Sequence, residues 1–250
     1  MNSMKDTIDI NCKNCICNII QKEIAYKGKG YIILKKIQPE FCREVIEYAA
    51  EQLSAMGAEM IYLTCSDKEV VLSDKVLKTK NFEFRYDSDI DYLERKISSA
   101  DDFVEYEDLF FKGLSPENRP DFLCTYNECF FEVPNSGTYT DIYIDRLMND
   151  TVHCRAGLIL QKDKVIGIYE VSLEYDLPEI ASIGIIKEKR GQRLGWKSLN
   201  FLIGFLSRSG YKRVCLKVST KNPNAYKLYL QMGFCKKRTL SRWYLQKHKE

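Results

Sequence analysis

Between Glu179 and Phe234 the chain sets down, without a gap, a strand pattern, a basic glycine-containing turn, an amphipathic helix, a second strand and a short capped helix. This order constrains the fold more than any other feature. A turn placed between a strand and a helix start presents backbone N–H groups to an anion such as a phosphate. The strand is the apolar run Ile183-Gly184-Ile185-Ile186, and the turn is Arg190-Gly191-Gln192-Arg193-Leu194-Gly195. Leu199, Leu202, Ile203 and Leu206 then recur at helical spacing up to Gly210, a good helix stop. Val214, Leu216 and Val218 alternate with Cys215 and Lys217, as a strand requires. Asn222-Pro223 reads as an N-cap with proline at the first helical position, and Gly233 suits the left-handed residue that closes that helix.

These residues together resemble the coenzyme-binding half of the GNAT N-acetyltransferase superfamily, whose phosphate turn is written Gln/Arg-x-x-Gly-x-Gly/Ala. Arg190 and Gly195 match its ends, while Arg193 stands where the middle glycine is usual. The Asn222…Tyr229…Gly233-Phe234 series adds the specificity that the turn lacks. Arg193 is tolerable if its backbone keeps a negative φ. The resemblance covers residues 92 to 250 well and residues 1 to 90 faintly. It implies an α/β (α+β) protein of the GNAT acyl-CoA N-acyltransferase fold, a mixed central sheet flanked by helices, with a smaller degenerate GNAT-like module in front.

The resemblance also implies a division of labour. The strand before the turn splays from its neighbour, and the backbone of Ile183, Gly184 and Ile185 would hold the pantetheine arm of acetyl-CoA. Arg190, Gly191, Gln192, Arg193, Leu194, Gly195 and Trp196 would hold the pyrophosphate, with Asn222 and Tyr229 also touching the coenzyme. Tyr229 would supply a proton to the departing thiolate. Glu179, at the start of the strand, would take the proton of the acceptor ammonium, since amine attack on a thioester needs a base. Glu170 and Glu174 on the preceding strand compete for that role, and plain structural readings remain open for all of these: a core tyrosine, a strand-edge glutamate.

Charge is unevenly spread. From Lys187 to Glu250 there are 17 Lys/Arg and two acids, a net of +15, whereas the rest carries 21 bases and 33 acids, a net of −12. A basic half suits a polyanion such as coenzyme A. Nucleic acid is a weaker match, because the aromatics fall on core-like positions. The longest apolar stretch, Leu199 to Leu206, is far too short to span a bilayer. The absence of a charged-then-apolar leader and ten spread cysteines point to a cytoplasmic protein with reduced thiols.

The front of the chain faintly repeats the back. Phe41 to Gly57 runs as a helix into glycine, with a stripe of Val45, Ile46, Ala49 and Leu53, and Met60–Thr64 then parallels Arg213–Lys217. Lys36-Ile37-Gln38-Pro39-Glu40 replaces the phosphate turn and Leu77 takes the tyrosine position, so this module is expected to bind no coenzyme. Lys27-Gly28-Lys29-Gly30 reads as a hairpin loop between strands Ile19–Tyr26 and Tyr31–Ile37.

A new start is expected with a strand at Tyr92–Ile97 and an N-capped helix from about Asp102 to Phe111. Ser115–Gly137 is loop-rich with room for a helix, Ile142–Asn149 is a short helix, and Arg155–Leu160 and Lys164–Tyr175 form a hairpin. Cys12-x-x-Cys15-x-Cys17 has thiolate spacing for zinc but no fourth ligand follows, so no metal is expected.

The leading expectation is an acetyl-CoA-dependent N-acetyltransferase acting on a primary amine, cationic on the hint of acidic stretches such as Asp87-Ser88-Asp89-Ile90-Asp91. No membrane partner is expected, and a homodimer is left open. The rival is a non-catalytic acyl-CoA sensor or partner-binding protein that keeps the fold.

Overall fold

The computed structural model describes residues 7–12, 15–66, 72–98, 101, 103–133 and 135–247. The chain divides into two compact units, one of Met1–Ile90 with Thr239–Glu250 and one of Asp91–Arg238.

In the first unit the elements run β1 (Thr7–Cys12), β2 (Cys15–Ile20), α1 (Ile24–Lys27), β3 (Lys29–Ile37), α2 (Cys42–Ala55), β4 (Met60–Cys65), α3 (Asp74–Leu77) and the first part of β5 (Glu83–Lys96). Strands β1, β2 and β3 are antiparallel neighbours, and β3 then pairs with β4 in parallel through six consecutive positions, Lys29↔Met60 to Leu34↔Cys65. Ile46, Ala49 and Leu53 of α2 pack without exposure onto Ile32, Leu34, Ile61 and Leu63. Each aliphatic side chain buried in this way contributes about 1.5–3 kcal/mol. Cys15 and Cys17 lie in the same core, and the Cys12 side chain falls outside the described residues.

The expected hairpin is present with two corrections. Strand β3 begins at Lys29, so Lys29 and Gly30 lie in strand rather than loop. The first strand ends at Ile20, and Ile24–Lys27 forms a helical turn instead of strand. Gly28, at φ 64°, closes that turn and donates to the Ile24 carbonyl, a left-handed cap that glycine adopts without Cβ strain.

The second unit contains the rest of β5, then β6 (Phe110–Gly113), α4 (Arg119–Phe130), α5 (Asp141–Asn149), β7 (Cys154–Gln161), β8 (Lys164–Ser172), β9 (Glu179–Ile185), α6 (Leu194–Arg208), β10 (Arg213–Ser219), α7 (Pro223–Gln231) and the start of β11 (Cys235–Lys247). Its strands lie in the order β5-β10-β9-β8-β7-β6. Leu199, Leu202, Ile203 and Leu206 of α6 pack on Val214, Leu216 and Phe234, all nearly without exposure. Phe122, Tyr126 and Ile144 of α4 and α5 pack with Leu158 and Ile168 of the sheet.

The helix expected from Asp102 to Phe111 is absent: Asp102 lies outside the described residues, and residues 103–109 are irregular with an isolated Tyr106↔Leu109 bridge before β6. Side-chain ties to α6 override the local helical pattern. Asp108 pairs with Lys197 at 2.9 Å, Asn200 donates to the Tyr106 hydroxyl at 3.1 Å, and Phe111 stacks on Phe201. Two further boundaries move: β5 begins at Glu83 rather than near Tyr92, and β8 ends at Ser172, leaving Glu174 in the following loop.

Candidate active site

The expected site residues all fall in the second unit. Strand β9 pairs antiparallel with β8 from Gly167↔Ile185 back to Ser172↔Glu179. On its other side the register with β10 joins Cys215 to Glu179 and goes no further. Beyond Glu179 the two parallel strands therefore diverge. The Ile186 N–H donates to the Ile166 carbonyl on the β8 side. Alternation along the strand then turns the peptide groups of Ile183 and Ile185 toward the gap. One of these groups is occupied, since the Ile185 carbonyl accepts from Arg190 Nε at 2.9 Å.

Arg190 thus has a structural post. Its guanidinium also donates to the Cys129 carbonyl at 3.3 Å, tying the end of α4 to the end of β9. Gly184 is needed for the same approach, because a Cβ there would lie 2.9 Å from Cys129 Cβ.

The turn itself follows. Gly191 has φ 80° and Arg193 has φ 59°, so the expectation of a negative φ at Arg193 is overturned. Arg193 adopts the left-handed conformation that a glycine would take, at a cost of about 1–2 kcal/mol. The turn needs two left-handed residues to bring the chain from the 3-10 turn Lys187–Lys189 into α6, and only one is glycine. Arg193 caps α6 without a side-chain hydrogen bond, and the helical ladder opens with the Lys197 N–H donating to the Arg193 carbonyl. The amides of Leu194, Gly195 and Trp196 precede that first bond and point out of the helix end. A Cβ on Gly195 would meet only Leu228, at 3.6 Å. Gln192 and Trp196 are exposed beside it.

Asn222 caps α7 as expected, its Oδ1 accepting from the Ala225 N–H at 3.3 Å, and Gly233, at φ 84°, follows the helix end. Tyr229 is 9% exposed, with its ring 6.0 Å from that of Phe234. Burial pushes its phenol up to about 12. Glu179 is held by Lys217, whose Nζ lies 3.0 Å from Oε2. The other candidate on the sheet, Glu170, is 4% exposed and is bonded by the hydroxyls of Tyr139 and Tyr143. Burial raises its carboxyl, the charge of Glu179 adds to the rise, and the hydroxyls oppose it. The sequence reading missed Tyr139 and Tyr143; their spacing of four residues around the start of α5 was the available signal. Among the described residues no three His, Cys, Asp or Glu side chains gather as a metal site.

The sequence profile of the acetyltransferase (GNAT) family matches residues 119–234. The chain carries a GNAT-family acetyltransferase domain. Over 66 residues the chain is 32% identical to N-alpha-acetyltransferase 30 of Schizosaccharomyces pombe, covering 26% of this chain and 44% of that protein. The chain thus spans less than half the length of this curated relative. Solved structures share the fold of this chain at low identity. A GCN5-related N-acetyltransferase from Sphaerobacter thermophilus has a TM-score of 0.64 at 14% identity, covering 93% of this chain and 76% of that one. A conserved protein of unknown function from Staphylococcus epidermidis has a TM-score of 0.62 at 13% identity, covering 100% of this chain and 97% of that one.

Proposed function

We propose that the second unit transfers an acetyl group from acetyl-CoA to a primary amine by direct attack in a ternary complex. The observation that carries this reading is the end of β9–β10 pairing at Glu179↔Cys215, just before a turn with outward amides. The Ile183 peptide group, facing the gap, is suited to hold the pantetheine arm and to donate a hydrogen bond to the thioester oxygen. The amides of Leu194, Gly195 and Trp196 are suited to the pyrophosphate, each such contact contributing about 0.3–1 kcal/mol at an exposed site. Several must act together, and the excess of Lys/Arg after Lys187 adds long-range attraction.

Tyr229 serves at the sulfur. With its phenol near 12 against a thiol of about 8.5, full proton donation is uphill by roughly 5 kcal/mol. A hydrogen bond to the developing thiolate is the role that fits. Arg190 positions β9 against α4 and leaves anion binding to the backbone.

Calorimetric titration with acetyl-CoA, followed by thiol-release assays with peptides bearing free amino termini, polyamines, aminoglycosides and amino acids, tests the reading. Binding at the gap and turnover with one amine class are expected. The similarity to an N-alpha-acetyltransferase of Schizosaccharomyces pombe makes peptide α-amines the first class to try. A non-catalytic acyl-CoA sensor is the second reading, favoured by the ion pair that occupies Glu179. It expects coenzyme binding without thiol release from any amine.

A further inference from the structure

The second unit buries a carboxylate for which the proposed reaction has a use. Glu170 sits in β8 directly opposite Ser182 of β9, and Ser182 is followed at once by Ile183, whose peptide faces the strand gap. Both carboxylate oxygens are engaged by phenols: Tyr139 donates to Oε2, and Tyr143 donates to Oε1 at 3.1 Å. The Ser182 hydroxyl bonds the same group. The tyrosine rings are themselves only half-buried, so they bridge between solvent and a dry carboxylate. Tyr126 stacks on Tyr139, and Tyr139 lies with its ring 4.0 Å from that of Tyr143. The rings hold one another in place, and a buried anion reached through half-buried hydroxyls attracts a cation.

We infer that Glu170 is the base that accepts the proton of the acceptor ammonium, relayed through the hydroxyls of Tyr139 and Tyr143. The inference rests on the acetyl-CoA reading above and names the substrate group as a primary ammonium. The ammonium N–H bond breaks toward a phenol oxygen, and that phenol's own proton passes to Glu170. A neutral amine, an intact phenol and a carboxylic acid result. The amine nitrogen then bonds the thioester carbon, the C–S bond breaks, and the second nitrogen proton goes to the departing sulfur. Glu170 returns its proton to water.

The surroundings fit a carboxylate that can be neutralised. Among the described residues, the titratable groups that interact with it include Tyr126 of α4, Tyr139 and Tyr143, Cys154 of β7 and Glu179 of β9, none of them a cation. Glu179, by contrast, is spoken for by Lys217.

The test compares wild type, Glu170→Gln and Tyr143→Phe in the full chain. Acetyl-CoA affinity, read by calorimetry, is expected to stay within about twofold in both variants. Glu170→Gln is expected to lower kcat/KM for thiol release with the best amine of the panel by ~10²–10⁴-fold and to flatten the acid limb of its pH profile. Tyr143→Phe is expected to move that limb to higher pH, because a hydroxyl supporting the carboxylate is lost. A ¹³C-carboxyl titration is expected to show one glutamate ionising above the ordinary value of about 4.3, absent from Glu170→Gln. An unchanged pH profile in Glu170→Gln, or an ordinary titration for that carboxyl, overturns the inference while leaving the transferase reading intact. Failure of the wild type to bind acetyl-CoA removes the transferase reading, and the inference with it.

Discussion

Lys217 Nζ lies 3.0 Å from Glu179 Oε2; Glu179 is the residue of β9 joined to Cys215 of β10, and Lys217 lies two residues farther along β10. The pair stands where the strands begin to part. Its side chains are 50% and 24% exposed, so water screens much of the attraction. Glu179→Gln is therefore expected to cost under ~1 kcal/mol of stability in denaturant titration. With Glu170 as the base, it is also expected to lower kcat/KM less than tenfold. A loss as large as that of Glu170→Gln would return the base role to Glu179.

Arg193 holds a left-handed conformation with no side-chain cap to compensate. Arg193→Gly removes that backbone strain and is expected to stabilise the protein by up to about 1 kcal/mol, the flexibility of glycine in the unfolded chain offsetting part of the gain. Because the amides of the turn keep their places, acetyl-CoA binding is expected to persist. Arg193→Val, β-branched at a positive φ, is expected to destabilise instead. Thermal denaturation with calorimetric binding checks both.

Tyr229 links stability to alkaline pH. Its folded phenol is raised from 10.0 to about 12 by burial, so the unfolded chain ionises first. The contribution is complete below pH 10 and is lost as pH rises through 12, roughly 3 kcal/mol in all. Tyr229→Phe is expected to flatten the decline of stability between these values, measured by urea unfolding at fixed pH steps. The same variant is expected to slow thiol release while leaving acetyl-CoA affinity within a few-fold.

Among the described residues of the first unit, β3 and β4 show no comparable gap. Strands β3 and β4 stay paired from Lys29↔Met60 to Leu34↔Cys65, and Leu77, 6% exposed, packs in the core of that unit. One acetyl-CoA per chain is accordingly expected in calorimetry. A second equivalent site would contradict this reading of the front module.

Much of the second unit was legible in the sequence because its signals are local. The α6 stripe Leu199, Leu202, Ile203 and Leu206 dictates a helix by spacing alone, and Asn222, Pro223 and Gly233 mark the ends of α7 by backbone preference. The family resemblance drew attention to Glu179, Tyr229 and the turn for the same reason, since their order along the chain is preserved. The glycine-ended helix expected near the front is present as α2, and Gly57 and Gly210 take nearly the same φ, 86° and 88°.

Other features depended on partners distant in the chain. The segment after residue 102 reads locally as helix, yet Lys197, Asn200 and Phe201 hold it as loop and edge strand. The sign of φ at Arg193 is set by how β9 must enter α6, which no side-chain preference reveals. The assembly of Tyr139, Tyr143 and Ser182 around Glu170 brings together residues up to 43 positions apart. Sequence fixes which backbone states are cheap; only packing decides which costly states are kept and which charges meet.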